Sequence, residues 1–508
     1  MLTRLKVNGF KNLVDVDLRF GPFTCITGAS GVGKSNLFDA ISFLGALADG
    51  TLTDAAKSVR GEGGRASEIR NLFQHVVDNY ARVMTFEAEM IIPEAGFDDL
   101  GMEVKAKITY LRYRLAIGLN YDTISGFAGL DLLHEELSHI NLGSAAQNLL
   151  FPHKAAAWRY SAVKGRRSGG AFISTQGEGK NRIIELHADG EGGGRPRTIL
   201  ACNLQRTVLS TVNTAENPTV LMAKREMQSW RQFRLEPASL RKPDELTAPT
   251  MIGPDGAHLA AALYHLRKQE KGGNRMTSES DPDEADSPTL YTRLARILAD
   301  FGDEMQEISV DHDDKREILT IIGTAVDGTP FSARALSDGS LRFLALSVLA
   351  LDRQSPGLFC IEEPENGISP DRIPLMLSLL QTIVTDVNRP VGSDNPLRQV
   401  IINSHSPAVL ASIADESILV ADSVEKMRDG AIFKSVRFSC LPDTWRLKTA
   451  GNQNTVERDR LLPPVVTFSQ ESIEQGNKLG RKKLCKETDR SDEVGEQIQP
   501  SLPYGEER

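Results

Sequence analysis

A glycine-rich stretch near the start of the chain has the residue types and spacing of a phosphate-binding loop. Glycines let backbone N–H groups converge on phosphate oxygens, a lysine reaches the β- and γ-phosphates, and a serine hydroxyl can hold Mg²⁺. The alternative is a tight turn between a strand and a helix, with a solvated lysine. This phosphate loop consists of Gly28, Ala29, Ser30, Gly31, Val32, Gly33, Lys34, Ser35 and Asn36.

Two adjacent carboxylates form a second group that could do chemistry. Glu362 and Glu363 follow the apolar run LFCI, which predicts a buried strand. Ligand sites in open α/β sheets lie at the carboxyl ends of strands. There, one carboxylate can hold Mg²⁺ and the other can deprotonate an attacking water. The alternative is a charged strand end before a proline turn.

Two further motifs contain groups that suit an anion. Ser337, Asp338 and Gly339 precede an apolar helical pattern, so they predict either an anion site at a helix N-terminus or a simple helix cap. His405 follows another apolar strand-like run and could contact a γ-phosphate. The alternative for His405 is an ordinary surface residue in a loop.

The order of these motifs resembles that of the ABC-type ATPases of the RecF, SMC and OLD group. More narrowly, it is similar to the AAA-family ATPase domain called AbiEii-toxin-like. The resemblance covers residues 1–75 and 250–412 and includes GFKN, GKSN and IEEPENGISP. It implies an α/β fold, namely a P-loop NTPase head of the ABC type that is split by an inserted β-rich and helical region. It also implies ATP and Mg²⁺ as cofactors.

The resemblance assigns a role to each motif. The phosphate loop corresponds to Walker A, although such ATPases often have Asn at the position of Ser30. Gln74 is the candidate for the Q-loop glutamine and joins Ser35 among the expected metal ligands. The remaining assignments are Ser337 and Gly339 in the signature motif, Glu362 as the Walker B acid and metal ligand, Glu363 as the catalytic base, and His405 as the switch histidine.

An insertion must separate the two halves of this head, because Lys34 and Ser337 are roughly 300 residues apart, too far for a compact transporter cassette. The insertion shows neither sustained heptads nor a Cys-x-x-Cys hook, and no TOPRIM-like carboxylate cluster follows His405. The predicted divisions are 1–85 and 306–425 for the two halves of the head, 86–250 for the β-rich insertion, 251–305 for a helical lobe with a disordered loop at 268–290, and 426–508 for a C-terminal extension that is disordered from about 470.

Local patterns predict some of the elements around these motifs. TFEAEMII and KITYLRYRLAIGLNY favour antiparallel strands, and ISVDHDD with EILTIIGT favours a hairpin. GPDGAHLAAALYHL and LRFLALSVLAL predict amphipathic helices, as do Leu37, Ile41 and Leu44 after the phosphate loop. The pattern assigns no clear structure to residues 124–230.

Composition limits the class of protein. Of the 508 residues, 40% are apolar and 25% are charged, which is ordinary for a soluble globular protein. The five cysteines form no Cys-x-x-Cys pair, and Cys25 and Cys360 lie in apolar runs, which is typical of reduced, cytosolic cysteines. The sequence shows neither an apolar signal core nor a stretch long enough to span a bilayer. We therefore expect a cytoplasmic protein that does not enter a membrane.

The net charge of −9 gives no general attraction to nucleic acid, so any contact with DNA must come from a local patch. The densest candidate is KAAAWRYSAVKGRR (154–167), which has five basic residues, no acid, and the rings of Trp158 and Tyr160. It could bind a nucleic-acid backbone and its bases, or it could be a solvated loop with two buried rings.

The leading functional hypothesis is an ATPase that dimerises around ATP and acts in DNA repair or maintenance, or in phage defence. The resemblance implies the homodimer, because Ser337 of one protomer belongs on the γ-phosphate bound by the other. One alternative is a nucleotide-gated scaffold, in which ATP binding rather than turnover recruits a partner. Another is a toxin or effector ATPase that works with a protein encoded nearby.

Overall fold

The structure is a computed structural model. It describes residues 1–59, 69–76, 79–121, 128–167, 169–189, 195–273, 289–302, 305–352, 355, 357–428, 430–449 and 455–461. The predicted disorder from about 470 lies outside these residues, as does most of the predicted loop at 268–290. Residues 268–273 of that loop instead continue a helix.

The strands and helices have the following bounds. The strands are β1 Leu2–Asn8, β2 Val16–Arg19, β3 Phe23–Thr27, β4 His75–Val76, β5 Asn79–Tyr80, β6 Val83–Ile91, β7 Ala95–Phe97, β8 Glu103–Lys105, β9 Tyr110–Tyr121, β10 Ala128–His139, β11 Ile173–Gln176, β12 Ile183–Leu186, β13 Arg197–Leu200, β14 Arg231–Phe233, β15 Asp244–Glu245, β16 Met305–Asp313, β17 Ile318–Ala325, β18 Pro330–Ser332, β19 Gly357–Glu362, β20 Arg398–Ser404, β21 Ile418–Arg428 and β22 Ala431–Cys440. The α-helices are Lys34–Leu47, Leu52–Ser58, Leu142–Asn148, Tyr160–Ala162, Pro218–Gln228, Pro237–Leu240, Leu259–Gly273, Leu290–Asp300, Asp338–Leu351, Ile373–Ile383 and Pro407–Ala411.

The head is built on a six-stranded sheet in the order β14-β19-β20-β3-β21-β22. Neighbouring strands are parallel except for β21 and β22. Parallel strands are buried on both faces, which explains the unbroken apolar runs of β3 and β19. Because β3 from the first part of the chain lies between β20 and β21 from the last part, the predicted split head is confirmed.

An eight-stranded antiparallel sheet contains most of the inserted strands, in the order β13-β12-β11-β10-β9-β6-β1-β2. The predicted strands TFEAEMII and KITYLRYRLAIGLNY are β6 and β9, which pair along nine residues from Val83 opposite Gly118 to Ile91 opposite Tyr110. Part of 124–230, which had no clear pattern, forms β10 to β13. In contrast, β14 (Arg231–Phe233), which comes directly after these residues, joins the head sheet.

The helix that follows the phosphate loop packs the two sheets together. Its predicted apolar residues Leu37, Ile41 and Leu44 are buried. Next to them, the ring centroid of Phe43 lies 5.8 Å from that of Phe86 on β6. The helix, and therefore the loop at its start, is fixed against both sheets.

Alternate residues of the head sheet face two different cores, as the period of a β-strand requires. Leu358 and Cys360 of β19 belong to the core shared with the antiparallel sheet. Phe359 and Ile361 belong to a second core, which contains apolar residues of the helices Leu259–Gly273, Asp338–Leu351 and Ile373–Ile383. The predicted hairpin is also present, because β16 and β17 pair antiparallel within this part of the protein.

Candidate functional site

Three adjacent strands of the head sheet end at one edge in register. Thr27 of β3 is opposite Ser404 of β20, and Asn403 of β20 is opposite Glu362 of β19. The phosphate loop follows β3, the acidic pair consists of the last residue of β19 and the residue after it, and His405 follows β20. Segments far apart in sequence therefore meet at the carboxyl edge of the sheet.

The phosphate loop needs its glycines for backbone geometry. Gly28, Gly31 and Gly33 have φ angles of 147°, 80° and 112°, which residues with side chains rarely adopt. A Cβ atom at Gly28 would lie 2.2 Å from the carbonyl oxygen of Ala421. A Cβ atom at Gly33 would lie 2.4 Å from the side-chain nitrogen of Asn12. The loop is therefore a tight turn in which Gly28 and Gly33 cannot be replaced by a residue with a side chain without strain.

The side chain of Lys34 folds back over this loop. Its Nζ atom donates to the carbonyl oxygens of Gly28 at 2.6 Å and Ala29 at 2.9 Å. Burial lowers the pKa of Lys34, and the nearby carboxylates of Glu363 and Glu365 oppose this by raising it. The ammonium group is therefore held between the loop and the acidic end of β19.

Ser35 meets the acidic pair although 327 residues separate it from Glu362. Its hydroxyl donates to Oε2 of Glu362 at 3.2 Å, and Nδ2 of Asn403 lies 3.4 Å from the same hydroxyl. The other oxygen of Glu362 accepts from Nε2 of Gln232 at 2.6 Å, and Gln232 accepts from Ser42 at 2.9 Å. A hydroxyl and a carboxylate this close are the oxygen ligands that suit Mg²⁺.

Glu363 is held in an uncommon backbone conformation with a φ of 44°. Its N–H donates to the backbone and side-chain oxygens of Asn403 at 3.1 and 2.9 Å. Its carboxylate accepts from Asn366 at 2.8 Å and lies 3.0 Å from Nδ1 of His405. The side chain remains 34% exposed. Glu363 is thus oriented by two neighbours and open to water, as a proton acceptor must be.

Glu365 is a third carboxyl group at this edge, and the sequence pattern did not indicate it. Its side chain is buried and accepts a hydrogen bond from Ser404, while Oε2 has no hydrogen-bond partner among the described residues. Burial raises the pKa of Glu365, and the negative charge of Glu363 raises it further. The only signal in the sequence was a third acid in EEPE, placed after a proline that suggested a turn.

The signature segment (residues 336–340) forms the start of a helix and makes local contacts. The hydroxyl of Ser337 accepts from the N–H of Ser340 at 3.0 Å, so the predicted helix cap is present. Asp338 forms an ion pair with Arg241 at 2.7 Å. These bonds hold the segment in place within its own chain.

Gly339 allows the signature segment to pack closely on the loop after β19. A Cβ atom at Gly339 would lie 2.4 Å from the carbonyl oxygen of Gly367. Arg342, one turn further along the helix, donates to the carbonyl oxygens of Asn366 at 2.5 Å and Leu235 at 3.0 Å. The segment and the acidic strand end are therefore braced against each other.

The structure brings Gln232, and not Gln74, to the carboxylate of Glu362. The side-chain amide of Gln74 is buried and has no hydrogen-bond partner among the described residues, and its backbone N–H donates to Gly9 at 2.9 Å. Gln232 lies on the three-residue strand β14, opposite Cys360 of β19. Sequence reasoning missed Gln232 because its position depends on a strand pairing that no local pattern reveals.

Asn12 is a further residue of the site that sequence reasoning did not single out. Its Nδ2 donates to the carbonyl oxygen of Val32 at 3.0 Å, and its Oδ1 accepts from Asn36 at 2.9 Å. It ends the motif GFKN, which was noted only as part of the family resemblance. In the structure, this motif supports the phosphate loop from the connection between β1 and β2.

The basic stretch 154–167 does not present the aromatic surface that single-strand binding needs. Trp158 is fully buried, whereas Tyr160 is 58% exposed. Lys164 forms an ion pair with Glu94. These contacts favour the interpretation of a solvated segment, with one buried ring rather than two.

The strand order and the meeting of these motifs define the class of protein. The phosphate loop, the acidic pair and His405 follow adjacent strands of one largely parallel sheet, whose strands come from both ends of the chain. This is a P-loop NTPase head of the ABC type, and the predicted fold class is confirmed.

A family comparison supports the narrower resemblance. Residues 262–411 match the family model described as "AAA domain, putative AbiEii toxin, Type IV TA system". The matched residues contain the signature segment, Glu362, Glu363 and His405, while the phosphate loop lies outside them. The resemblance to AAA-family ATPases of the ABC type is therefore confirmed for this part of the chain. A comparison with curated proteins gave no match.

Several solved structures are similar at low identity. "Crystal structure of the SmcHead bound to the C-winged helix domain of ScpA" is 15% identical, with 87% of this chain and 98% of that chain covered and a TM-score of 0.43. An Smc head with an extended coiled coil, bound to the C-terminal domain of ScpA from Pyrococcus furiosus, is 13% identical, with coverages of 86% and 96% and a TM-score of 0.39. The SMC head domain from Thermotoga maritima is 10% identical, with coverages of 86% and 98% and a TM-score of 0.32. Among the described residues, no helix has the length and apolarity needed to cross a membrane.

Proposed function

We propose that this protein binds ATP with Mg²⁺ and hydrolyses it to ADP and phosphate. The observation that carries the proposal is the pair of contacts at the sheet edge: Ser35 with Glu362 at 3.2 Å, and Glu363 with His405 at 3.0 Å. The first pair has the ligand chemistry for Mg²⁺, and the second has the chemistry to accept and orient a proton.

Nucleotide binding would use the phosphate loop and the groups around it. Backbone N–H groups of the loop would hold the phosphates, and Lys34 would exchange its two carbonyl contacts for phosphate oxygens. Ser35 and Glu362 would hold Mg²⁺, and we assign to Gln232 the role first expected of Gln74. Bound Mg²⁺ would neutralise part of the phosphate charge.

Hydrolysis would depend on Glu363. Its exposed carboxylate would take a proton from the attacking water, while the water oxygen bonds to the terminal phosphorus and the bond to the ADP oxygen breaks. His405 would keep this carboxylate in position and could contact the released phosphate. The two hydrogen bonds from the N–H of Glu363 to Asn403 fix the backbone at the point where the side chain must be aimed.

We also propose that ATP binding joins two copies of the chain. The hydrogen bonds of Ser337 are to Ser340, and those of Lys34 are to its own loop. The signature segment is thus preformed beside the acidic strand end. A second copy could present this segment to the bound ATP, which agrees with the role implied by the family resemblance.

For the pathway, we propose DNA repair or maintenance, or phage defence, within the cytoplasm. The description of the matched family names a toxin, which favours a toxin or effector ATPase with a partner protein as the second candidate. DNA remains a proposed partner, but the buried Trp158 and the paired Lys164 give no support to 154–167 as its binding surface.

Steady-state ATP hydrolysis with and without single- and double-stranded DNA tests the proposal. Wild type should turn over ATP, Lys34→Ala should not, and Glu363→Gln should do so about 10²–10⁴-fold more slowly than wild type. Stimulation by DNA would favour the role in DNA maintenance. If wild type binds ATP yet turns it over no faster than Glu363→Gln, hydrolysis is excluded and the nucleotide-gated scaffold is favoured.

A further inference from the structure

A buried carboxyl group at the carboxyl edge of the head sheet has no part in the chemistry proposed above. Glu365 is only 6% exposed. Its Oε1 atom accepts a hydrogen bond from the hydroxyl of Ser404, whereas Oε2 has no hydrogen-bond partner among the described residues. Burying a carboxyl group without pairing its oxygens costs free energy, and the nearby charge of Glu363 adds to that cost. Stability alone therefore does not explain an acid at this position.

Ser404 connects this carboxyl group to the turn that contains His405. It is the last residue of β20 and is fully buried. While its hydroxyl donates to Glu365, the same hydroxyl accepts from the backbone N–H of Ser406 at 3.0 Å. The second bond bridges the residues on either side of His405, and the first anchors that bridge to the loop after β19. Together they fix the direction in which the chain leaves the sheet.

His405 needs this turn for its contact with the proposed base. Its Nδ1 atom lies 3.0 Å from the carboxylate of Glu363, and its side chain is 49% exposed. Because about half of the side chain is open to solvent, packing restrains the ring only in part. A functional side chain must be held by the groups behind it, and here those groups are the backbone turn and its anchor.

We propose that Glu365 is a positioning residue, which holds Ser404 and thereby aims His405 at the carboxylate of Glu363. The inference rests on the proposed ATP hydrolysis and extends it to a buried residue that acts through others. The role requires a hydrogen-bond acceptor and not a charge. The charge of Glu365 also acts on Lys34 and Glu363, so the experiment must separate the hydrogen bond from the charge.

Two substitutions of similar size make this separation. Glu365→Gln keeps an acceptor for Ser404 and removes the charge, so its kcat should stay within about threefold of wild type. Glu365→Met removes both and should lower kcat about tenfold with the affinity for ATP unchanged, because a hydrogen bond that positions His405 is lost. Phosphate release gives kcat, and fluorescent-nucleotide binding gives the affinity. If Glu365→Gln loses as much turnover as Glu365→Met, the charge is what matters and the proposal is overturned.

Thermal unfolding and a second background distinguish positioning from a purely structural role. Glu365→Met should unfold at the wild-type temperature or above it, since the substitution removes a costly buried acid. In a chain that carries His405→Ala, Glu365→Met should lower kcat by less than about twofold more, because the side chain it positions is already absent. A lower unfolding temperature with loss of ATP binding, or an equal loss of turnover in both backgrounds, would assign a structural role and overturn the proposal.

Ser412→Ala is the matched control, because it removes a hydroxyl that donates to the carbonyl oxygen of Ala408 at 2.9 Å, shortly after the same turn. It should leave kcat at the wild-type value, and a loss as large as that of Glu365→Met would count against a specific role for Glu365. If wild type turns over ATP no faster than Glu363→Gln, the proposed function fails and this inference fails with it. If wild type is active and Glu365→Met matches it, only this inference fails.

Discussion

The two 14-residue helices that begin at the phosphate loop and at the signature segment have opposite kinds of N-terminus. The first has Gly33 as its N-cap, with no side-chain cap and no acid in its first turn. The second is capped by Ser337 and has Asp338 in its first turn. Since the first N–H groups of a helix lack partners further along it and no side chain caps the first helix, its positive end stays available for phosphate. The second helix satisfies one donor itself, which suits a supplementary contact to a site on another chain.

Among these changes, removing the ammonium group of Lys34, at the start of the helix Lys34–Leu47, should have the largest effect on ATP binding. Lys34→Ala should abolish ATP binding, because Lys34 is the charged group folded over the loop. Glu363→Gln should keep ATP binding and lower turnover about 10²–10⁴-fold, because the amide cannot accept the proton. Fluorescent-nucleotide binding and phosphate release measure the two steps. Equal hydrolysis by wild type and Glu363→Gln would contradict the assignment.

Substitutions at Ser337, the N-cap of the helix Asp338–Leu351, should separate ATP binding from formation of the dimer. Ser337→Arg should leave ATP binding by a single chain intact but prevent the ATP-dependent dimer, because a bulky cation opposes both packing and the helix dipole. Ser337→Ala is the matched control: it removes the cap, at a cost of about 1 kcal/mol in stability, and the hydroxyl, but adds no bulk or charge, so it should weaken the dimer less than Ser337→Arg. Gel filtration across a range of ATP concentrations distinguishes them. A Ser337→Arg variant that dimerises like wild type would refute the contact in trans.

The two candidate glutamines should differ in their effect on turnover. Gln232→Ala should reduce ATP turnover, because it removes the hydrogen bond that fixes Glu362. Gln74→Ala should leave turnover close to that of wild type, since the Gln74 amide has no partner among the described residues. Parallel measurements of turnover and Mg²⁺ dependence check both variants. The reverse ranking would restore Gln74 as the metal-site residue.

The smallest effect is expected in the basic stretch, which lies away from both helix N-termini in sequence. Changing Lys164, Arg166 and Arg167 together to Ala should leave ATP turnover unchanged. It should also leave both the affinity for DNA and its salt dependence near wild-type values, because Lys164 is paired with Glu94 and the guanidinium group of Arg167 lies 4.2 Å from the ring centroid of Phe172. Fluorescence anisotropy over a salt series is the measurement. A clear drop in affinity with a shallower salt slope would return this stretch to the role of a DNA surface.

Much of the fold could be predicted because the relevant signals are local. The apolar runs of β3 and β19 and the glycines of the phosphate loop indicate a strand, a turn and a helix without further information. The partners of these elements are harder to predict. The strands β10 to β13 are stabilised by pairing across the antiparallel sheet, and their sequences have weak patterns of their own.

The candidate site shows the same limit. Lys34 and Glu363 could be predicted because their motifs carry the chemistry in a short stretch. Gln232 could not, since it reaches Glu362 only through the pairing of β14 with β19. The burial of Trp158 could not be predicted either, because the sequence of a basic segment with aromatic residues is the same whether the ring faces solvent or the core.

The most direct test of the account is the mass of Glu363→Gln in solution, measured by light scattering with ATP and Mg²⁺. This variant should bind ATP without hydrolysing it. The ATP held at the N-terminus of the helix Lys34–Leu47 of each chain can then contact the N-terminus of the helix Asp338–Leu351 of the other chain. We expect its mass to double with ATP and Mg²⁺. We expect a monomer with ADP, and also a monomer with ATP when the chain carries both Glu363→Gln and Ser337→Arg. A monomer under every nucleotide condition, in protein shown to bind ATP, would contradict it.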